Sequence, residues 1–216
     1  MVRRIGGLKV IDSTNTVKAR ILFEAREVMN KAYKKSKPQI ELKARQLILS
    51  ELEKSPTVQS LLKNKLQADF GLSSSSARKG VDNILSVISR NINVDFVISS
   101  SNLVGSIKLN LLPPDVSQLT SLPSASYINN GRKGGEIPWL EWLLTRGTEI
   151  VIDGYHVTYK ESRYSRSGKA EMRKSGFFRI NSDDAGTIDD NFITRTIRSL
   201  SDEIFLIIRL ELERAG

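Results

Sequence analysis

Near residue 92 the spacing of apolar residues changes, and this change constrains the fold more than any other feature of the chain. Upstream, apolar residues recur every three or four positions, the period of an amphipathic helix. Downstream, NVDFVISS places Val94, Phe96 and Ile98 at every second position, and SIKLNLL does the same with Ile107, Leu109 and Leu111. A period of two marks strands. The chain therefore reads as α+β: an antiparallel sheet of hairpins packed with helices, with a helical N-terminal part (1–92) and an assembly domain (93–216), the two forming one continuous domain or a pair. The length of 216 residues fits one generous domain.

The N-terminal part resolves into four helices. Ser13-Thr14-Asn15 favours a helix start, and Val17, Ile21, Ala25, Val28 and Ala32 form one face of a helix reaching about Lys35. Lys37-Pro38 is expected to break it, with Pro38 opening a second helix striped by Ile40, Ala44, Leu47, Ile48 and Leu52. Ser55-Pro56 caps a third, running through Val58, Leu61, Leu62, Leu66 and Phe70 to a stop at Gly71. The serines of SSSSARKG serve as loop and cap for a fourth, carrying Ala77, Val81, Ile84, Leu85 and Ile88.

In the second part, SSNLVG joins the first two strands as a hairpin. Residues 113–137 form a long connection rich in Pro, Ser, Asn and Gly, ending in the basic stretch NNGRKGGE, and a loop of this length often binds something. Pro138 opens a short helix, PWLEWLLTRG, whose Trp139 and Trp142 either pack inward or anchor a subunit contact. EIVIDGYHVTY reads as two strands joined at Asp153-Gly154 by a primed two-residue turn. Gly176–Ile180 forms a further strand, and one last helix carries Ile193, Ile197, Leu200, Ile204, Ile207 and Ile208 to the C-terminus.

Charge and residue types narrow the function. The net charge is +9, and residues 1–80 hold 17 Lys/Arg against 7 Asp/Glu, which accounts for the whole excess. A basic third of this kind meets nucleic acid or an acidic protein surface. With no cysteine there is no disulfide framework, thiolate metal site or cysteine nucleophile. No signal-peptide pattern opens the chain and no apolar run approaches the roughly 18 residues of a membrane span, so a soluble protein made and used inside a cell is expected. His156 is the sole histidine, placed by alternation on the side opposite Tyr155 and Val157, toward solvent. Asp183, Asp184, Asp189 and Asp190 could hold magnesium for a nuclease, yet they fall where a strand ends and a helix begins, and capping and turn formation account for them. Neither a phosphate-binding GxxxxGK[ST] loop nor a nucleic-acid-reading motif is present, so no cofactor and no enzymatic role are expected.

One stretch remains: ESRYSRSGKAEMRKSG, residues 161–176, with Arg163, Arg166, Lys169, Arg173 and Lys174 against Glu161 and Glu171. Such a loop suits nucleic acid or a neighbouring subunit. The segments GEIPWLEWLLTRG, SRSGKAEM and AGTIDDNFITRTI, with SASYINNG before them and DDNFITRTIRSLSDEIFLIIRLELE at the end, resemble virion structural proteins of contractile-tailed phages, in particular neck and tail-completion (tail terminator-like) proteins. The resemblance covers residues 55–216 and is firmest from Glu136 to Arg198; the helical N-terminal part, about 90 residues, is longer than in small tail-completion proteins. It implies a homo-oligomeric ring, commonly six-fold, in a virion assembled in the host cytoplasm, touching adjoining neck, tail-tube or sheath proteins and passing viral DNA, without membrane contact. It implies further that the 161–176 loop is an assembly arm. Its basic side chains would pair with Asp183, Asp184, Asp189 or Asp190 of the next subunit. The competing classes are a stand-alone nucleic-acid-binding protein that uses the basic helices, and a magnesium nuclease that uses the aspartates.

Overall fold

The computed structural model describes residues 13–98, 105–111, 116–128, 135–163 and 165–215. The fold is α+β: a long N-terminal helix, antiparallel hairpins, and a C-terminal helix packed against the first. Most of the SSNLVG connection and most of NNGRKGGE lie outside the described residues.

The N-terminal part differs from expectation at two places. Helix α1 (Thr14–Lys54) runs 41 residues without a break, with Pro38 inside it. Proline removes one backbone hydrogen bond and costs about 3 kcal/mol in a helix interior. Here Lys34 and Pro38 are both exposed, so the break in the hydrogen-bond ladder lies on the outer side of the helix. Burial on either side of the proline holds the helix together. Tyr33 and Ser36 are buried before it and Ile40, Ala44, Ile48 and Leu52 after it, and the Tyr33 hydroxyl donates to the Val94 carbonyl at 2.6 Å. The expected third helix is instead two, α2 (Pro56–Lys63) and α3 (Lys65–Asp69), separated at Asn64, where the backbone turns extended. The Ser60 hydroxyl accepts from the Leu66 amide at 3.1 Å and fastens this corner. Gly71, at φ +61°, supplies the left-handed stop. In α4 (Ser74–Asn91) Ser73 caps the helix by accepting from the Ser76 amide, so the serine run is loop and cap as read.

Strands β1 (Asn93–Ile98) and β2 (Gly105–Asn110) pair antiparallel with Val94 opposite Leu109 and Phe96 opposite Ile107. The apolar alternation thereby places one face on α1, where Phe96 stacks on Tyr33 with ring centroids 4.6 Å apart. The long connection contains a helical turn, α5 (Ser117–Thr120), and a two-residue ladder of β3 (Tyr127–Ile128) with β4 (Glu136–Ile137). Helix α6 (Trp139–Thr145) then enters the centre of the molecule.

Asp153-Gly154 is not a turn. Strand β5 (Ile150–Tyr159) continues through it and pairs with β6 (Ala170–Arg179) from end to end, with register shifts at Val151 and Gly154. At that point Asp153 faces Phe177 and Tyr155 faces Lys174, leaving Gly154 across from Ser175 and Gly176. All three have positive φ, so the site is a bulge. A left-handed glycine satisfies a primed turn and a bulge equally, and the ten-residue ladder wins because it pairs far more backbone than a four-residue hairpin. The chain reverses at residues 160–169 instead. The described strands form three separate two-stranded ladders.

The last helix is also divided, into α7 (Phe192–Ser199) and α8 (Ser201–Ala215). Buried Leu200 sits between two serines, and Ser199 turns its hydroxyl back to the Thr196 carbonyl. Serine competes for backbone groups in this way and favours helix ends. One core joins both halves of the chain, with Ile48, Leu52, Leu61, Phe70 and Ile88 against Trp139, Leu140, Leu143, Phe178 and Phe192.

Helix α8 is fastened to α1 by Glu211, which is buried and accepts from Lys43 Nζ and Arg214 Nη1, both at 2.6 Å. The Lys43 hydrogen bond, with the charges of Lys43 and Arg214, holds its carboxyl below the ordinary value of 4.5. A depressed carboxylate stabilises the fold above its ordinary value and loses that contribution as pH falls through the lower folded value. Below pH 4.5 the unfolding temperature of the native chain should therefore fall more steeply with acid than that of Glu211→Gln. Parallel slopes would show that the pair contributes nothing to this dependence.

Candidate functional site

The charged residues singled out from the sequence fall in two regions. The first is the connection between β5 and β6 together with the start of β6. Here four of the five basic side chains bind within their own chain. Lys169 Nζ donates to the Lys63 carbonyl and to Gln67 Oε1, both at 2.7 Å, which satisfies an end carbonyl of α2. The Arg166 guanidinium carbon lies 3.0 Å from the centroid of the Tyr127 ring, and Arg166 Nη2 would be 3.2 Å from a Cβ placed on Gly71. Arg173 pairs with Glu171 at 3.4 Å on the exposed side of β6, and Lys174 is exposed beside it. Arg163 is exposed and engaged within the chain.

Beneath Arg166 is a cleft of about 470 Å³, whose walls include Asp69, Phe70, Gly71, Ile137, Val157, Glu171 and Met172. Tyr159 donates to Asp69 Oδ1. Burial pushes the Asp69 carboxyl up, against the lowering effect of that hydrogen bond. Burial lowers the pKa of Arg166. The cleft thus holds a partly desolvated cation and, elsewhere on its wall, a carboxyl whose pKa burial raises.

The second region is the turn between β6 and α7. Asp184 accepts from the Thr57 hydroxyl at 2.8 Å. Asp183 and Asp184 lie in a turn closed by the Asp184 and Ala185 amides on the Asn181 carbonyl. Asp190 is held by Arg195 at 3.0 Å and Arg198 at 3.4 Å, and the hydrogen bond from Arg195 leads the causes that lower its pKa. Arg198 also reaches the Asp189 carbonyl. The residue that caps α7 is Asn191, in a reciprocal capping box with Thr194, and not either neighbouring aspartate. No group of three or more metal-ligating side chains occurs among the described residues.

His156 is half-buried, as are Tyr155 and Val157, and its Nδ1 lies 2.7 Å from the Ser175 carbonyl. Nδ1 therefore carries the proton, and the ring braces the bulge. Trp139 is withdrawn from the candidate anchors. It is 1% exposed, its indole donates to the Ser124 carbonyl at 2.9 Å, and its ring abuts Gly80. Trp142 is half-buried against the same core.

A third feature emerges from the structure. Large apolar side chains stand exposed on α1 (Val17, Ile21, Phe23, Val28) and on α8 (Phe205, Leu206, Leu210). The α1 stripe was visible in the sequence, but its outward direction was not. For α8 a signal existed in Ile204-Phe205-Leu206-Ile207-Ile208, since five consecutive apolar residues surround a helix and cannot all meet one core. No described helix is long and apolar enough to cross a membrane. Compared with family models, curated proteins and solved structures, the chain matches none.

Proposed function

We propose that the chain is a structural subunit that associates with copies of itself into a ring. On the sequence resemblance of residues 136–198, the ring belongs at the head–tail neck or the tail end of a tailed-phage virion, in a tail terminator or completion role. The observation that carries self-association is the outward apolar surface on two separate helices, α1 and α8. Patches of that kind mark surfaces that another molecule covers. In this reading the adjoining neck, tail-tube or sheath proteins are the further partners, and DNA passes through the channel.

A second reading, a stand-alone nucleic-acid-binding protein, draws on the basic surface of α1, where Lys18, Lys31 and Lys34 are exposed. One set of measurements separates the two. Light scattering on the purified protein, free of nucleic acid, should give a discrete species near six times the 24.2 kDa chain at low and high salt. A monomer at both salts, binding DNA with an affinity that falls steeply as salt rises, would replace the ring by the nucleic-acid reading.

A further inference from the structure

We infer that the N-terminal turns of α1 dock on the outward face of α8 of a second copy, so that the copies join head to tail. The inference rests on the self-association reading and names the two surfaces that meet.

Within one copy these surfaces cannot meet. Lys35 of α1 reaches the Ala215 carbonyl at the end of α8, and Lys43 reaches Glu211 further along. Helix α8 therefore runs antiparallel to α1 from about residue 35 onward, and residues 14–31 extend past its end. At 1.5 Å per residue that extension is roughly 27 Å, against roughly 22 Å for α8. The lengths match.

The side chains match as well. At about 100° per residue, Val17, Ile21 and Val28 share one face of α1, turned roughly 120° from the core-facing row of Tyr33, Ser36, Ile40 and Ala44. Ile21 is 61% and Val28 63% exposed. On α8, Ile204 and Glu211 face inward, while Phe205, Leu206 and Leu210 face out. Phe205, 67% exposed, also forms one wall of a groove of about 370 Å³ between α8, Ile197 and Arg198 of α7, Leu109 of β2 and Leu111 just after it. A helix laid in such a groove is held by apolar anchors spaced along one face.

Charge selects the pairing. Residues 14–34 of α1 carry five Lys/Arg against two Glu, and α8 carries four Asp/Glu against two Arg. Two α1 segments side by side would set net positive charge against net positive, and two α8 helices net negative against net negative. Opposite signs meet when α1 of one copy takes α8 of the next. That contact is heterologous, and heterologous contacts close into rings when the rotation between copies permits.

A complementation experiment tests this. One variant carries Ile21→Asp and Val28→Asp, the other Phe205→Glu and Leu210→Glu. All four positions are exposed, so both variants should keep the native circular dichroism and thermal unfolding. Each alone should be a monomer. Mixed in equal amounts they should form a one-to-one dimer and nothing larger, because a single intact α1 face then meets a single intact α8 face. A multimer that survives in either folded variant overturns the inference and leaves self-association standing. Failure of the mixed monomers to pair also overturns it, and gives the two faces to each other's like or to another occupant. A native chain that is monomeric at every concentration overturns the self-association reading with it.

Discussion

Gly186→Ala should destabilise the fold by about 3 kcal/mol and lower the unfolding temperature by about 6–12 °C. A Cβ at this position would lie 2.6 Å from Asn191 Cβ, 2.7 Å from the Leu143 carbonyl oxygen and 2.9 Å from Asn191 Cα. Real Cβ atoms do not approach so closely, and neither neighbour can yield cheaply. Asn191 is the buried cap of α7. Its Oδ1 accepts from the Ile193 and Thr194 amides, and its Nδ2 donates to the Thr187 and Ile188 carbonyls. Leu143 is fully buried in α6. The Gly186 carbonyl also accepts from the Gly147 amide at 2.8 Å, so a shift of the segment would strain that bond as well. Gly168→Ala is the informative comparison: nothing lies within 4 Å of its added methyl, but φ is +72°. Its cost is conformational alone, about 1 kcal/mol. If thermal unfolding gave the two variants equal losses, close packing at Gly186 would not be the cause.

The same contrast between local and tertiary causes explains what the sequence disclosed. Elements whose ends and faces are decided locally were legible. The Ser73 cap, the two strands of the first hairpin, and the α6 helix after Pro138 all follow from neighbours in the chain. Elements decided by distant contacts were not. Pro38 is a strong local break, and it is overridden by the burial of Tyr33 and Ile40 against Val94 and the packing of α8 on α1. Asp153-Gly154 is a strong local turn, overridden because β6 offers a partner of full length. The basic loop was legible as a cluster of charge. Its attachment through Lys169 to α2 and α3, and the position of Arg166 over Tyr127, depend on segments about 100 and 39 residues away. The α1 stripe shows the limit most plainly, since periodicity reveals that a helix has an apolar face but not which side the rest of the molecule occupies.

The second large effect lies in the core, where Trp139 and Gly80 share one space. Trp139→Ala should cost about 3–5 kcal/mol, as expected for deleting a fully buried tryptophan. Gly80→Ala is the more instructive change. In a helix interior alanine is favoured over glycine by about 1 kcal/mol, and Gly80 lies within α4. Yet its Cβ would stand 2.9 Å from Trp139 Cζ2 and 3.4 Å from Cη2, while Phe70 and the Ser124 hydrogen bond hold the indole in place. Gly80→Ala in the native background should therefore destabilise despite the better helix former. Trp139→Phe removes the far edge of the indole that meets this position. In that background Gly80→Ala fills part of the vacated space and recovers the helical preference, so it should stabilise. The sign of one substitution reverses with the identity of its neighbour, and the coupling energy from the four denaturation curves should reach about 1–3 kcal/mol. Additive effects would mean that α4 and α6 do not meet at these two side chains, and the close packing of α6 into the helical half of the core would have to be abandoned.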